Sequence, residues 1–332
     1  MAPRTWRCRA NEASGYAYAS MRFEVRPYRV PEDDPHVAAL SAAANPDPWT
    51  VADIEEWRRT FPDGGVEHDV VGVDEAGEVV GHAQAYRYPW APPGRFAASV
   101  LVHPRVRGRG LGGRLYSRVL GFVRERAATL LTSTVRADDE AALRFAQARD
   151  FTIERHECEP RLDLATWRPD ASSDPVVALE AQGVRFFTYA DEPREAELYE
   201  LVQRNACDIP GYDPDAGPLP RDTWRKRWLE DPDSPPDGII LAAIDDRLVG
   251  VTFMGRYNEA GELKTWHTSV ARGSRGRGIA VALKHLAIRA AIRRGAPALW
   301  TSNDSRNAAM LRVNAKLGFE DTPGVYYLRC EL

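Results

Sequence analysis

Two stretches of the chain repeat each other, and this duplication limits the possible folds more than any other feature of the sequence. A segment rich in glycine and arginine occurs in each half and places Gly108 and Gly276 168 residues apart. Three more pairs occur in matching order at spacings of 167 to 169 residues, namely Trp57 with Trp224, Gly81 with Gly250, and Phe151 with Phe319. Because this spacing is far longer than the roughly 20–50 residues of a solenoid repeat, the sequence predicts two similar domains in series.

The domain boundaries are predicted from length and composition. A chain of 332 residues has room for two domains of ordinary size. The polar, proline-containing segment 166–182 has weak periodicity and is the predicted linker between an N-terminal domain, 22–165, and a C-terminal domain, 183–332. Residues 1–21 lack the apolar stretch of a secretory signal, so we expect them to form a disordered extension.

Composition and charge exclude several classes of protein. The net charge of −4 gives the molecule no general attraction for nucleic acid, and no apolar run approaches the roughly 18 residues that span a bilayer. The four cysteines are far apart and form no CxxC pair, so we expect no metal site. We therefore expect a cytoplasmic protein that binds neither nucleic acid nor a membrane.

The two halves have the same predicted order of elements. An antiparallel meander leads into a strand–helix–strand–helix–strand section, which predicts an α/β fold with mixed sheets in two tandem copies. The first copy is predicted to close with the strand Phe151–Leu164, and the second with Val325–Arg329.

In each half a strand is followed by glycines and arginines, and then by a helix. The first of these turns covers residues 105–113, and the second centres on Gly276 and Gly278. Glycine permits a positive φ and a close approach of the backbone to a ligand, and the first turn of a helix has unsatisfied N–H groups with a partial positive charge. The pattern predicts two anion sites, to which the nearby arginines and Lys284 would add positive charge.

Two other phosphate-binding motifs fit these turns poorly. Gly108, Gly110 and Gly113 match the dinucleotide fingerprint GxGxxG, but that motif belongs near the start of a βαβ unit. Here a meander precedes the motif, and Val281 replaces the third glycine in the second copy. The G-K-[ST] sequence of a P-loop is absent.

The meander, the (R/Q)-x-x-G-x-(G/A) turn and the helix ending in Gly-Phe resemble the GNAT acetyltransferase superfamily over nearly the whole chain, twice. The second copy departs from the motif at its first position, where Gly273 stands. The resemblance implies that acetyl-CoA is bound and that the backbone amides of each turn hold its diphosphate. It also implies that the strand before each turn separates from its neighbour and pairs with the pantetheine arm. The cofactor-binding residues that it implies are Val102, Arg107, Gly108, Arg109, Gly110, Leu111 and Gly112 in the first copy, and Val270, Arg275, Gly276, Arg277, Gly278, Ile279, Ala280, Asn303 and Asn307 in the second.

The second copy is the predicted catalytic domain. Superfamily members often use a tyrosine four residues before Gly-Phe as the acid, and Asn314 occupies that position here, with Ala146 in the first copy. The second copy keeps Asn303 and Asn307, where the first has Val135 and Asp139. The cleaner glycine turn of the first copy favours the opposite assignment.

The candidate base and acid come from the residue types that acetyl transfer needs. His267, on the strand before the second turn, suits a base, and a packed strand histidine is the alternative. Glu262 is a second candidate base, or else an exposed charge beside a turn. Tyr326 or Tyr327 could replace the missing acid. Trp224, Trp228, Trp266 and the loop 207–220, with Tyr212, Asp213 and Asp215, are the expected acceptor pocket, with core packing as the alternative for each tryptophan.

These residues together predict an acetyl-CoA-dependent N-acetyltransferase. The acceptor would be the primary amine of a small molecule or peptide, attacking acetyl-CoA directly. An acyl-CoA sensor without turnover and a scaffold with vestigial sites are the alternatives. We expect a monomer in which the two domains imitate the dimers of single-domain relatives.

Overall fold

The computed structural model describes residues 22–45, 48–169, 174–210 and 217–332. The predicted N-terminal extension and three residues of the predicted acceptor loop, Tyr212, Asp213 and Asp215, lie outside these ranges. The chain forms two compact units. The first contains the residues up to Tyr86 together with Ala98–Glu125, and the second contains Arg87–Ala97 and Arg126–Leu332.

The first unit is a meander covered by helices. Its strands run in the order β1, β2, β3, β4 across the sheet. Its helix α3 buries Leu111, Leu115, Val119 and Val123, whose spacing of four puts them on one face. The elements are β1 (Glu24–Pro27), α1 (Asp34–Ala44), α2 (Val51–Thr60), β2 (Val66–Val73), β3 (Val79–Arg87), β4 (Arg95–Val102) and α3 (Leu111–Arg124).

The second unit contains the rest of the elements. Its two strand arrays follow the orders β5-β14-β6-β13 and β7-β12-β11-β10-β9-β8. The elements are β5 (Leu130–Arg136), α4 (Glu140–Gln147), β6 (Thr152–Cys158), β7 (Arg161–Asp163), α5 (Pro175–Glu180), β8 (Arg185–Thr188), α6 (Glu195–Ala206), α7 (Arg221–Trp228), β9 (Ile239–Ile244), β10 (Arg247–Arg256), β11 (Leu263–Val270), α8 (Ile279–Arg293), β12 (Ala298–Thr301), β13 (Asn303–Asp304), α9 (Ala308–Lys316) and β14 (Val325–Glu331). The predicted mixed α/β class is confirmed.

The two copies exchange their last strands. The segment predicted as the single strand Phe151–Leu164 is broken at Pro160, which has no backbone N–H to donate. The part beyond the break, β7, pairs with β12 of the second copy. In return, β14 enters between β5 and β6, with Val325 opposite Arg136 and Glu157. The prediction that each copy closes its own sheet is therefore wrong.

The exchange places parts of both sequence copies in one compact unit. The domain boundaries derived from the repeat therefore stay a prediction, because the strand pairing groups residues of both sequence copies together. Within the predicted linker, α5 buries Val176 and Leu179 against the core around α8. The carboxylate of Asp174 caps this helix and also accepts a hydrogen bond from Arg289 at 2.6 Å. This part of the linker is therefore structured.

Apolar side chains pack on both faces of the second-copy meander. On one face, Ile279, Leu283 and Ala287 of α8 lie in the larger core cluster. On the other, α6 and α7 cover the strands with Leu198 and the fully buried Trp224. The meander is thereby held rigidly between helices, and its last strand, β11, leads into the second glycine turn.

Candidate active site

The second glycine turn has an open, left-handed backbone. Gly276 and Gly278 have φ angles of 77° and 91°, which favour glycine over other residues. A Cβ added at either residue would meet no atom within 4 Å. Helix α8 begins immediately afterwards at the buried Ile279, so the free N–H groups of its first turn lie beside this open space. The turn thus fits an anion the size of a diphosphate.

An ion-pair cluster lies beside the second turn and restrains its conformation. The guanidinium of Arg275 donates to the carbonyl of Val270 at 2.8 Å and to Asp208 at 2.6 Å. Arg272 donates from Nε to both oxygens of the same carboxylate, at 2.9 and 3.0 Å. These two arginines, Arg272 first, hold the pKa of Asp208 well below its usual range. The Arg275 side chain therefore braces the turn, while Arg277 is exposed on it.

Strand β11 separates from its parallel neighbour before it reaches the turn. It pairs with β12 only from Leu263 to Thr265, whereas its pairing with β10 continues to Val270. Residues 266–270 of β11 therefore have no β12 partner, and their backbone groups on that side can bind an extended ligand as an added strand would. The separation of the strands that the family resemblance implied is present in this copy.

A β-bulge lies at the point of separation. His267 is opposite Phe253, but the next pair is Thr265 with Met254, so Trp266 is an extra residue on β11. A bulge bends a strand and redirects the side chains that follow it. Trp266 is 41% exposed, and so it is not part of the core.

His267 lies on the α6–α7 face of the meander among aromatic rings. Its ring centroid is 6.1 Å from those of both Trp228 and Phe253. Its Nε2 is 3.0 Å from Ser269 Oγ, which accepts a hydrogen bond from Asn205 Nδ2 at 3.2 Å. Burial lowers the pKa of His267 to about 4, so the imidazole is neutral at pH 7. His267 thus packs against aromatic rings and also has a neutral imidazole that can accept a proton. Its role as base stays a prediction.

The structure does not place Glu262 beside His267. It accepts hydrogen bonds from Arg161 at 2.8 Å, Trp300 Nε1 at 2.7 Å and Asn258 at 2.9 Å. Burial raises its pKa, but these hydrogen bonds, that of Arg161 first, outweigh it and leave the pKa below the usual value. The carboxylate therefore joins β11 to β7 and β12.

Asn303 and Asn314 are brought together beyond the end of β12. Asn314 Nδ2 donates to Asn303 Oδ1 at 2.6 Å. Asn314 is buried, and its Oδ1 has no hydrogen-bond partner among the described residues. Asn307 instead caps α9, because its side chain accepts a hydrogen bond from the Met310 N–H at 3.2 Å.

Tyr326 lies in the other strand array. As a residue of β14 it is opposite Val135 and His156, and its ring centroid is 4.8 Å from that of His156. The strand exchange thus places Tyr326 and Tyr327 beside β5 and β6 rather than beside β11. The structure does not bring Tyr326 together with His267.

The first glycine turn has the same local geometry as the second. Gly108 and Gly110 have φ angles of 77° and 85°, with open space where a Cβ would be. Arg107 Nε donates to the carbonyl of Val102 at 3.1 Å, as Arg275 does to Val270. Helix α3 begins at the buried Leu111, so Gly112 belongs to its first turn, while Arg109 is exposed beside it.

The predicted position of Lys284 is wrong. It was expected to add positive charge at the turn, but it is 1% exposed and points to the space between α8 and the sheet. Its Nζ donates to Thr301 Oγ1 at 2.9 Å and to Thr265 Oγ1 at 3.3 Å. Burial lowers its pKa to about 7. The sequence signal for this burial is that Lys284 lies within the apolar face of α8.

Two features are absent from the part of the chain that the structure describes. No helix there is long and apolar enough to cross a membrane. No group of three or more histidine, cysteine, aspartate or glutamate residues there could hold a metal ion.

The paired glycine turns, each between a meander and a helix, define an acyltransferase fold, and the chain belongs to the acetyltransferase (GNAT) family. The family model matches residues 35–151 and again residues 197–319. The chain is thus a tandem member of the family and an N-acetyltransferase.

Relatives of known name align over most of the chain. A mycothiol acetyltransferase of Streptomyces scabiei is 28% identical over 90% of this chain and 92% of its own. One from Streptomyces avermitilis is 27% identical over 77% of each chain. A GCN5-related N-acetyltransferase from Sphaerobacter thermophilus superposes with a TM-score of 0.71 and 25% identity over 93% of this chain and 95% of that one. A tandem GNAT protein from the clavulanic acid biosynthesis pathway shares the fold, with a TM-score of 0.72 and 22% identity over 93% and 98% of the chains.

Proposed function

We propose that this enzyme transfers the acetyl group of acetyl-CoA to the primary amine of a small molecule, and that the second copy carries the chemistry. The separation of β11 from β12 after Thr265, next to the open turn at Gly276 and Gly278, supports acetyl transfer. The observation that carries the assignment to the second copy is the Asn303–Asn314 pair. Relatives named mycothiol acetyltransferase favour a small, mycothiol-related acceptor over a peptide.

The residues of the second copy would share the binding of acetyl-CoA, which supplies an activated acyl thioester. The backbone N–H groups of residues 275–280 would hold the diphosphate at the start of α8. The unpaired edge of β11 would bind the amides of the pantetheine arm. Asn303, which is partly exposed and held by the hydrogen bond from Asn314, would bind the pantetheine arm.

His267 would remove the proton from the amine. The attacking nitrogen becomes more acidic as its bond to the acyl carbon forms, so a weak base is sufficient at this stage. The lowered pKa of His267 keeps the imidazole in its proton-accepting form at pH 7. Ser269 and Asn205 would fix the orientation of the ring through their hydrogen bonds. This makes His267 the base and the α6–α7 face the acceptor side.

The first copy lacks the asparagine pair. The positions of Asn303 and Asn314 are Val135 and Ala146 there, and neither side chain can form a hydrogen bond. Since the two turns are alike and β4 pairs with β5 only from Arg95 to Ala97, we expect the first copy to bind acetyl-CoA as well, but more weakly because it lacks the asparagines.

An acyl-CoA sensor without turnover is the second candidate. It is favoured by one observation, that Asn314 stands where superfamily members often have a tyrosine acid. An amide cannot donate a proton to the leaving thiolate at neutral pH. Product formation separates this candidate from the enzyme.

The test combines calorimetry with product analysis. Acetyl-CoA is titrated into the wild type, Gly110→Trp and Gly278→Trp, and each tryptophan would fill one open turn. We expect Gly278→Trp to lose the tighter site and all turnover, and Gly110→Trp to retain both. Turnover is followed by chromatography of released CoA and by the mass of the acetylated product, using mycothiol-related and simple amines. Turnover that survives in Gly278→Trp would refute the assignment to the second copy. Binding without product from any amine would favour the sensor.

A further inference from the structure

The first unit contains a cavity of about 270 Å³ on the face of its meander that α1 and α2 cover. One part of its wall is aromatic and is formed by Tyr28, Trp49 and Trp57. Another part is polar and includes Glu67 and Asp69 of β2 together with His82 and Gln84 of β3. All of these residues belong to the first unit.

The second copy provides an internal comparison for this cavity. At the spacing of 169 residues that relates Gly81 to Gly250, His82 corresponds to Val251 and Gln84 to Phe253. Both counterparts are fully buried in an apolar cluster that also contains Trp224, the counterpart of Trp57. At these two positions the second copy therefore has apolar side chains packed in its core, which is the favourable arrangement there. The first copy has polar groups and open volume in the same place, at a cost in stability that a ligand would explain.

The carboxylates in the cavity are not neutralised by a strong cation. No arginine or lysine lies within salt-bridge distance of Glu67 or Asp69 among the residues that the structure describes. Arg58 also lines the cavity, but its guanidinium is engaged with Asp34, at 2.8 and 3.1 Å. Asp69 contacts His82 Nε2 at 2.8 Å. Burial, and then the charge of Asp69, raises the pKa of Glu67, and these two effects outweigh the lowering by the Trp57 hydrogen bond and by the charge of Arg58.

Gln84 is a second polar feature of the cavity wall. It is 5% exposed and lines the cavity. Its Nε2 reaches Asp69 only at 3.5 Å, which is at the limit of a hydrogen bond. Its Oε1 has no hydrogen-bond partner among the described residues. The carbonyl oxygen of this cavity-lining side chain and the two carboxylates together form an acceptor set for a group with several N–H donors.

We propose that this cavity is a binding site for a small organic ammonium ion with an apolar or aromatic substituent. Glu67 and Asp69 balance the charge of the ammonium group, and Gln84 Oε1 accepts one of its N–H groups. Trp49 and Trp57 pack against the apolar part of the ligand and attract its cationic end. The volume limits the ligand to a compact amine, since pockets for drug-sized molecules begin at about 300 Å³. This site is independent of the second-copy turn and of the catalytic assignment.

The probe for the site is 2-phenylethylamine, with 2-phenylethanol as its neutral counterpart of similar shape. Both are titrated calorimetrically at pH 7.5 into the full chain and into Glu67→Gln and Glu55→Gln. Glu55 is an exposed glutamate of α2 and serves as the matched control. We expect the amine to bind at least 10-fold more tightly than the alcohol to the wild type and to Glu55→Gln, and Glu67→Gln to lose this preference.

A second variant removes the volume instead of the charge. Gln84→Phe introduces the residue that the second copy has at the corresponding position, and so we expect it to fold, as thermal unfolding would show, and not to bind the amine. Equal affinity for amine and alcohol, no measurable binding of the amine to the wild type, or unchanged amine binding in both Glu67→Gln and Gln84→Phe would each overturn the proposal.

Discussion

Replacing Lys284 by methionine should stabilise the protein at neutral pH. Lys284 is 1% exposed, and its only polar contacts in the described structure are the hydroxyls of Thr265 and Thr301. The ring of Phe319 lies 5.1 Å from its Nζ. The site therefore contains a group that strongly favours water, without a carboxylate to balance it. Methionine has a similar length and flexibility and carries no charge.

The magnitude follows from the pKa of this lysine. Burial lowers it from 10.5 to about 7, which corresponds to about 4–5 kcal/mol of lost stability at pH 7, at about 1.4 kcal/mol for each tenfold change. Methionine gives up two hydrogen bonds worth about 1 kcal/mol each. The threonines keep carbonyl acceptors, because Thr265 Oγ1 donates to the Trp300 carbonyl and Thr301 Oγ1 to that of Thr265. The net gain should be about 2–3 kcal/mol.

The dependence on pH gives the decisive assay. The unfolded lysine binds a proton below about pH 10.5, whereas the folded one does so only below about 7. Wild-type stability should therefore rise with pH across this window, by up to about 1.4 kcal/mol per pH unit. In urea denaturation the advantage of Lys284→Met should shrink from pH 7, vanish at about pH 9 and reverse above it, where only the two lost hydrogen bonds remain. The exposed Lys316→Met is the control and should change little. A variant that is less stable than the wild type by the same amount at every pH would refute the reasoning.

Three further outcomes are expected. His267 stays neutral in the folded protein down to about pH 4, whereas an unfolded imidazole takes up a proton near 6.5, so the wild type should lose stability as the pH falls from about 6.5 to 4. His267→Gln should lose less in urea denaturation, and an equal loss would argue against a buried imidazole. Glu262→Gln breaks the contact with Arg161 and should destabilise the protein by about 2 kcal/mol. Its affinity for acetyl-CoA, measured by calorimetry, should not change, and Glu259→Gln at an exposed residue is the control. Weakened acetyl-CoA binding in Glu262→Gln would make Glu262 part of the site. Truncation after Gly324 removes β14 and should abolish hydrogen-exchange protection in β5 and β6 while β10 and β11 keep theirs; continued protection of β5 would contradict the observed pairing.

Local features of the sequence predicted the two turns and their surroundings. Gly276 and Gly278 predict a left-handed turn because few other residues adopt a positive φ. The helix after them is predicted by the helical periodicity of its apolar residues. The separation of β11 from β12 was also expected, but only through the resemblance to a family. These features depend on residues that are close together in the chain.

Features that depend on distant partners were not predictable in the same way. The two copies have similar sheets, so the pattern of β14 is compatible with a place in either of them, and only the folded structure shows which it occupies. Glu262 has the sequence context of an exposed turn, yet Arg161 and Trp300 bury it. Lys284 has a charge that suits an anion site, but its position on α8 turns it towards the sheet. In each case the deciding neighbour lies far away in sequence.

The exchanged strands have a consequence for how the protein is made. Residues 130–136 pair with residues 325–331, so the ribosome must add nearly all of the second copy before β5 receives this neighbour. At about 5–20 residues per second, the delay is about 10–40 s. During this time the edges of β5 and β6 that later accept β14 expose unpaired N–H and C=O groups, which invite pairing with other nascent chains. The chain is therefore most prone to aggregation during translation. A chaperone that covers strand edges would protect it most at that stage.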